Sequence, residues 1–431
     1  MLTDTKHRST SELDVIQLKG LQKALVYLEQ NSPYYKNVFK KEKIDIDIIQ
    51  TLEDIVKLPL TSKEDLQTHN TDFLCVPKQK VAEYCTTSGT LGTPVTIALT
   101  INDIERLALN EYNSFLTAGT SSDDIFQFML TLDRQFMAGI AYYEGVRKLG
   151  AGLVRVGPGN AMMQLDSIDR FQPTVLIAVP SFLITVIKAA KEKKINLNTT
   201  SVKKVICIGE SIRDDDFSLN TLGKRIRQDW NVELISTYAS SEKQTAFTEC
   251  VHGKGGHHIP ELIIYEVLDE NNHRVSPGEL GELVITNLGV EGMPLLRYQT
   301  GDICTYHVEP CKCGSLTTRL GPVVGRKRHM IKFNGTTLYP QTIYNVLNLQ
   351  EDIEDYVILL KRSELGTDDL QIIVALANEQ DHSTMNLTKL LQSALRISPA
   401  IQYANLAEVH SIQMNEGKRK PSKLIDERAG V

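Results

Sequence analysis

The stretch from Thr86 to Pro94 concentrates residues that can bind anionic oxygens. It carries five hydroxyl side chains and two glycines in nine residues. Backbone amides beside glycines can cradle phosphate oxygens, and Ser or Thr hydroxyls add hydrogen-bond donors. The stretch is not a Walker A loop, because no Gly-Lys-Ser/Thr sequence closes it. By itself, the same pattern is equally typical of a hairpin turn between two strands.

Polar groups also follow predicted strands at three later points in the chain. The three segments are Ile208 to Ser211, Thr237 to Glu242 and Arg297 to Asp302. Ligands of open α/β sheets bind at the carboxyl ends of the strands. The positions of these segments therefore predict that they face a bound ligand.

The residue types in these segments suit a nucleotide. Tyr238 could stack on a nucleobase, Glu242 could hold Mg²⁺ beside a triphosphate, and Asp302 could accept hydrogen bonds from both hydroxyls of a ribose. Each segment taken alone has a structural alternative. These alternatives are a plain turn after the first strand, a helix N-terminus capped by serine after the second, and an Asx turn at Asp302.

Cysteines and histidines form another candidate site. A tight Cys-x-Cys turn lies downstream of a glycine-rich loop, and together they contain Cys250, His252, His257, His258, Cys311 and Cys313. Three thiolates and one imidazole would make a closed tetrahedral zinc site, which is structural because no position is left for water. Two surface cysteines beside a polar loop are the alternative.

The composition excludes several classes of protein. The chain has 431 residues, 42% of them hydrophobic and 23% charged, as in an ordinary globular protein, and its net charge of −6 gives no electrostatic case for nucleic-acid binding. The most apolar run, Val175 to Ala190, is too short to span a membrane. An odd number of cysteines and a polar start favour a reducing compartment. We therefore expect a cytoplasmic protein that binds neither nucleic acid nor membrane.

The hydrophobic pattern alternates between strand and helix from residue 125 to residue 237. This alternation predicts an α/β layered fold with a largely parallel sheet. Residues 262–310 turn β-rich, and a boundary falls near Arg326 to His329. A compact α+β pattern follows to the end, so we expect an N-terminal domain over residues 1–326 and a C-terminal domain over residues 327–431.

The order of these segments resembles that of the adenylate-forming superfamily. The hydroxyl–glycine stretch, the Gly-Glu strand end, the Tyr-x-Ser-Ser-Glu and Tyr-x-Thr-Gly-Asp segments, Gly325-Arg326 and a terminal Gly417-Lys418 follow one another. Within that superfamily the chain is similar to the phenylacetate–CoA ligase family over nearly its whole length. The supporting segments include Ser32 to Tyr35, Leu58 to Leu66, Gly281 to Val284, Pro294 to Tyr298 and Glu309 to Gly314.

The resemblance implies an ATP-dependent acid–CoA ligase with a large adenylation domain and a small mobile C-terminal domain. Such an enzyme joins a carboxylic acid, in this family an aryl acid such as a phenylacetate-like compound, to AMP and then passes the acyl group to coenzyme A. ATP, Mg²⁺ and coenzyme A are the expected cofactors. A carrier-protein phosphopantetheine as acceptor and a degenerate nucleotide-binding homologue are the alternatives, and a homodimer remains open.

The resemblance also assigns nucleotide contacts by position. Glu242 would hold Mg²⁺, and Lys418 would reach the α-phosphate during adenylation. The phosphates would be wrapped by Ser88, Gly89 and Thr90. The rest of the nucleotide would contact Gly209, Glu210, Tyr238, Ala239, Ser240, Ser241, Asp302 and Arg326.

The resemblance further implies an acid pocket and a zinc ligand set. The pocket would be lined by Phe136, Gly139, Tyr143 and Ile208. For zinc, the family's His-Ile-x-Glu pattern favours His258 over His257, which gives the set Cys250, His258, Cys311 and Cys313.

Three departures from the family pattern affect these assignments. Thr93 stands where the phosphate loop usually has a lysine, so we expect weaker ATP binding. Arg328 and His329 stand in the hinge where acidic residues are usual, which should change the balance between the two domain orientations. The terminal stretch carries an insertion, and Lys420 replaces Lys418 as the catalytic lysine if the gap is placed elsewhere.

Overall fold

The chain forms two compact units. A computed structural model describes residues 8–87, 95–333, 336–350, 352–362, 368–377, 387–414 and 422–428. The large unit comprises residues up to 300 together with 304–323, and the small unit comprises 301–303 and the residues from 324 onward. None of the helices in these ranges has the length and apolar character needed to cross a membrane.

Local capping explains where several helices of the large unit begin and end. Ser9, Ser62 and Thr100 each form a capping box, and Gly150 ends a helix with a φ of 77°. The helices described in this unit are α1 (Thr10–Asn31), α2 (Pro33–Glu42), α3 (Lys63–Thr68), α4 (Ile101–Thr117), α5 (Met137–Leu149), α6 (Ala161–Phe171), α7 (Pro180–Glu192) and α8 (Thr221–Asp229).

The strands of the large unit alternate with these helices through the middle of the chain. They are β1 (Glu83–Thr86), β2 (Thr96–Leu99), β3 (Ile125–Phe128), β4 (Gly152–Arg155), β5 (Val175–Ala178), β6 (Lys204–Cys207), β7 (Glu233–Ser240), β8 (Thr245–Glu249), β9 (Gly256–His257), β10 (Ile263–Leu268), β11 (Gly281–Asn287), β12 (Tyr298–Cys304), β13 (Tyr306–His307) and β14 (Arg319–Leu320).

A nine-stranded sheet organises the large unit, in the order β13-β14-β9-β8-β7-β6-β5-β3-β4. The five strands from β7 to β4 are parallel, and the other four pair antiparallel. Alternate residues of β5 enter different hydrophobic clusters. Leu176 and Ala178 pack with residues of α6, α7 and α8, whereas Val175 and Ile177 pack with residues of α4 and α5. Helices therefore cover both faces, and the predicted α/β fold with a largely parallel sheet is confirmed.

A buried guanidinium joins three distant parts of the large unit. Arg106 on α4 donates hydrogen bonds from Nε to Leu288 O (2.8 Å), from Nη1 to Gln244 O (2.7 Å) and from Nη2 to Leu262 O. Burial lowers the pKa of Arg106 to about 10, so the side chain remains charged at neutral pH. One side chain thus satisfies carbonyls before β10, after β11 and in the turn between β7 and β8.

The small unit is an α+β structure. Its central sheet has the order β20-β19-β18-β21, with an antiparallel pair β18-β19 and a parallel strand on either side. Its described elements are β15 (Gly325–Arg326), β16 (Ile331–Phe333), β17 (Thr336–Leu338), β18 (Ile353–Arg362), β19 (Asp368–Leu376), β20 (Ala400–Tyr403), β21 (Leu424–Asp426), α9 (Pro340–Leu347), α10 (Leu387–Leu395) and α11 (Leu406–Gln413).

Replacement of Arg106 by methionine should destabilise the large unit. The variant keeps an apolar stem but leaves three carbonyls without their donor, and each such loss costs about 1–3 kcal/mol. We expect the free energy of unfolding to fall by about 3 kcal/mol or more. Fluorescence of Trp230, the only tryptophan and fully buried in this unit, reports the transition in denaturant. The exposed Arg225→Met on α8 is the control, and an equal midpoint for both variants would contradict the role of Arg106.

Candidate functional site

The carboxyl ends of β5, β6 and β7 lie at one edge of the parallel sheet. Ile208 N donates to Ala178 O (3.0 Å), which carries the pairing of β6 with β5 one residue past the strand end. The next residue, Gly209, has a φ of 75°, a left-handed conformation that favours glycine. The predicted segments at Gly209 and Tyr238 therefore follow neighbouring strands at the same edge, as ligand-binding loops do in this class of fold.

Glu210 uses its carboxylate to cap a helix. Its Oε2 accepts a hydrogen bond from Ser181 N (2.8 Å), and its Oε1 accepts one from Ser181 Oγ (2.8 Å) at the start of α7. A carboxylate at a helix N-terminus satisfies unpaired backbone N–H groups and the helix dipole. The Glu210 side chain thus holds the loop after β6 against α7, and this use of it is local and structural.

The Tyr238 to Glu242 segment is the end of a strand and a turn. The helix alternative fails, because β7 continues through Ser240 and the chain then reverses into β8. Tyr238 pairs with Phe247 across the two strands, and the hydroxyls of Thr237 and Thr248 are 2.7 Å apart. The alternating strand leaves Tyr238 half-buried and Ala239 exposed.

Buried side chains hold the turn between β7 and β8. Gln244 N donates to Ser240 O (3.2 Å), Asn287 Nδ2 donates to Lys243 O (2.8 Å), and Arg106 takes the carbonyl of Gln244. Glu242, also in this turn, is half-buried and makes no hydrogen bond or ion pair with any residue that the structure describes. The turn therefore presents a carboxylate on a rigid support, which is the arrangement a cation ligand needs.

The Arg297 to Asp302 segment begins with a buried ion pair. The Arg297 guanidinium donates from Nε and Nη2 to the two carboxylate oxygens of Glu266 (2.9 Å each), and its Nη1 donates to Leu58 O (2.7 Å). Both side chains are almost wholly buried. This arginine is therefore a structural residue, and the binding chemistry of the segment lies further along the strand.

Asp302 and Arg326 are brought together within the small unit. The two residues are cross-strand partners of β12 and β15, and Arg326 Nε donates to Asp302 Oδ1 (3.1 Å). The Asp302 carboxylate is largely buried, whereas the Arg326 side chain is half exposed. An arginine that orients a carboxylate is a suitable support for hydrogen bonds from vicinal hydroxyls.

The predicted hinge forms a short turn held by Arg428. Lys327–His329 is a single 3₁₀ turn. The Arg428 guanidinium donates to the carbonyls of Arg328 (2.8 Å) and Met330 (2.7 Å), and the carboxylates of Asp426 and Asp368 balance its charge. Burial and the positive charge of Arg328 lower the pKa of His329 to about 4, so this histidine is neutral at pH 7.

Four ligand-type side chains converge in the large unit. Cys250, His257, Cys311 and Cys313 place one sulfur or nitrogen atom each within 4.8 Å of all the others. The sulfurs of Cys250 and Cys311 are 3.6 Å apart, and Cys313 Sγ lies 3.7 Å from His257 Nε2. Tetrahedral zinc with its usual bond lengths requires separations of about 3.8 Å between sulfurs and about 3.6 Å between sulfur and nitrogen. The residues therefore fit a tetrahedral cation.

The expected histidine of this cluster was wrong. His257 belongs to β9 and faces the cysteines, whereas the next residue, His258, lies among aromatic rings. The His258 ring is 5.0 Å from that of Tyr265 and 5.8 Å from that of Phe247. Burial lowers the pKa of His258 to about 4. Consecutive residues of an extended chain point to opposite sides, so only one of the two histidines can face the thiols.

The predicted acid-pocket residues are only partly together. Ile208 is buried in a hydrophobic cluster with α5, and Tyr143 packs against that cluster. Gly139 lies where a Cβ atom would meet Thr131 O at 2.7 Å, so it serves close packing of α5. Phe136 precedes α5 and is exposed.

Several predicted residues lie outside the described ranges, and one contact was missed. The residues outside are Ser88, Gly89, Thr90, Thr93, Lys418 and Lys420. The missed residue is Lys243, whose side chain is fully buried with its Nζ 3.5 Å from the centroid of the Tyr238 ring. A lysine in this position normally suggests solvent exposure, so no sequence signal pointed to it.

Comparison with known proteins gives consistent relatives. The chain is 28% identical to a phenylacetate–coenzyme A ligase of Thermus thermophilus over 81% of this chain and 79% of that one. It is 26% identical to the phenylacetate–coenzyme A ligase of Escherichia coli K12 over 97% of both chains. In fold it is similar to a 2-hydroxyisobutyryl-CoA ligase solved with an acyl-adenylate, with a TM-score of 0.83, 21% identity, and coverage of 98% of this chain and 91% of that one.

A family profile decides the classification. The profile described as AMP-binding enzyme matches residues 15–292, which is more than half of the chain. The matched range contains the parallel sheet, the loop after β6 and the turn between β7 and β8. This chain therefore belongs to the AMP-binding enzyme family.

Proposed function

We propose that this protein is an ATP-dependent acid–CoA ligase that activates an aryl acid. The observation that carries the proposal is the rigid turn after β7, which combines a half-buried Tyr238 with an available Glu242 carboxylate at the ligand-binding edge of the sheet. Membership of the AMP-binding enzyme family supports adenylate formation. The phenylacetate–CoA ligases among its relatives support an aryl acid and coenzyme A as acceptor.

The reaction has two steps. A carboxylate oxygen of the acid attacks the α-phosphorus of ATP, the bond from that phosphorus to the bridging oxygen breaks, and pyrophosphate leaves. The thiol sulfur of coenzyme A then attacks the acyl carbonyl, the bond to AMP breaks, and the thiol proton is released to solvent. Holding the reacting groups in line and neutralising phosphate charge supply most of the acceleration.

Each nucleotide-facing residue has one role in this proposal. Tyr238 and the backbone at Gly209 flank the adenine, and Asp302, oriented by Arg326, binds the ribose hydroxyls. Mg²⁺ neutralises phosphate charge when it is bound, and Glu242 is its proposed ligand. Residues 327–431 are the proposed moving domain.

Pyrophosphate release tests the function. We expect an aryl acid such as phenylacetate to give the fastest ATP-dependent release in a panel of aryl and aliphatic acids, and coenzyme A to be converted to a thioester. Release without a thioester would indicate a carrier-protein phosphopantetheine as acceptor. No release with any acid, while ATP still binds, would favour the degenerate nucleotide-binding homologue and end the proposal.

Lys418 is the proposed catalytic lysine, and Lys420 provides a matched control two residues away. We expect Lys418→Ala to reduce adenylation at least about 100-fold, because the positive charge at the α-phosphate is lost. Thioester formation from a preformed acyl-adenylate should continue. Lys420→Ala should retain both steps. The reverse result would transfer the role to Lys420, and normal adenylation by both variants would reject either lysine.

A structural zinc ion is a second proposal for the large unit. Cys250, His257, Cys311 and Cys313 are the proposed ligands, because their types and spacing fit tetrahedral zinc. Three thiolates and one imidazole fill the coordination sphere, so the ion would stabilise the fold without reacting.

Elemental analysis separates the two histidines. We expect about one zinc per chain in the wild type and in His258→Ala, and a loss of most of the zinc in His257→Ala. Thermal unfolding should shift down in His257→Ala, and a chelator should produce the same shift in the wild type. A zinc-free wild type of unchanged stability would reject the site, and zinc loss only in His258→Ala would reverse the assignment.

A further inference from the structure

Lys243 is a buried cation beside the candidate nucleotide site. It follows Glu242 in the turn between β7 and β8, and its side chain has no exposed surface. Burying a lysine requires interactions that offset its lost hydration. The described contact of its ammonium group is with an aromatic ring, that of Tyr238.

The ammonium lies over the face of the Tyr238 ring. The distance of 3.5 Å from Nζ to the ring centroid is shorter than any approach at the ring edge permits, so the cation sits on the π-electron cloud. Cation–π attraction extends to about 6 Å and is strongest when the pair is desolvated, as it is here. Tyr238 therefore has one face occupied by a positive charge.

The backbone around Lys243 fixes this arrangement. Lys243 O accepts a hydrogen bond from Asn287 Nδ2 (2.8 Å), and Lys243 N donates to Ser240 Oγ (3.4 Å). The next residue, Gln244, has a left-handed φ of 51°, and its carbonyl is held by Arg106. A turn fixed on both sides of Lys243 holds the ammonium in a constant position relative to the ring.

We propose that Lys243 is a positioning residue for the purine of the nucleotide, acting through Tyr238. The ammonium locks the plane of the ring and draws π-electron density toward its own face. The opposite face becomes poorer in electrons and stacks more strongly on an electron-rich purine. This inference rests on the proposed function, since it assigns the purine to Tyr238.

The test is Lys243→Met, which keeps an unbranched chain of nearly the same length and removes the charge. We expect the KM for ATP and the Kd for AMP to rise about fivefold, while kcat stays within about twofold. A space-filling role would not produce this split, because methionine fills the same buried volume. Unchanged KM and Kd values in a folded variant would overturn the proposal.

A double-mutant cycle shows whether the effect passes through the ring. Tyr238→Leu removes the π system and should weaken AMP binding by itself. In that background, Lys243→Met should produce no further change, because the two residues act as one unit. If the two effects on the Kd multiply, Lys243 acts independently of Tyr238 and the proposal fails.

Lys254→Met is the matched control. Lys254 is exposed, and its Nζ lies 5.5 Å from the centroid of the Phe217 ring, a second lysine–aromatic contact outside the site. This variant should leave AMP binding unchanged. Calorimetry with AMP requires no catalysis, so it measures the role of Lys243 even if no acid is adenylated and the proposed ligase activity fails.

Discussion

A buried guanidinium, that of Arg106, makes the candidate site possible. A tight turn whose carbonyls face the core must find donors there, because water cannot reach them. Arg106 supplies a donor to Gln244 O, and Asn287 supplies one to Lys243 O. With these carbonyls satisfied, the chain can present a half-buried Glu242 directly before a fully buried Lys243. Neither a continuous strand nor a helix would place the two side chains in this way.

Motif residues of similar chemistry divide into supporting and binding groups. Glu210 caps α7 through Ser181, and Arg297 is neutralised by Glu266. Such engaged charges stabilise the loops that carry them but are not available to a ligand, since a buried charge must keep its partner. A motif match therefore locates a binding loop, and only the hydrogen bonds identify which of its side chains remain available.

The layered sheet could be predicted from the sequence because its parallel strands are buried on both faces and form short apolar runs between helices. Three features could not. The pairing of Tyr238 with Phe247 is between strands, so a local pattern equally suggested a helix start. The choice between His257 and His258 depends on the side of the chain on which Cys311 lies. The buried position of Lys243 depends on the ring of Tyr238 and has no signal in residue type.

The cysteine–histidine cluster acts on the same part of the chain as Arg106. Cys250 and Cys311 are 61 positions apart, and the segment between them includes Leu262 and Leu288, whose carbonyls Arg106 binds. A cross-link that closes so long a segment removes much of its conformational freedom in the unfolded chain. Neutral thiols are weak hydrogen-bond donors and give little reason for four such groups to converge. A shared cation would supply that reason, and it would make the strands beyond Cys250 depend on two independent anchors.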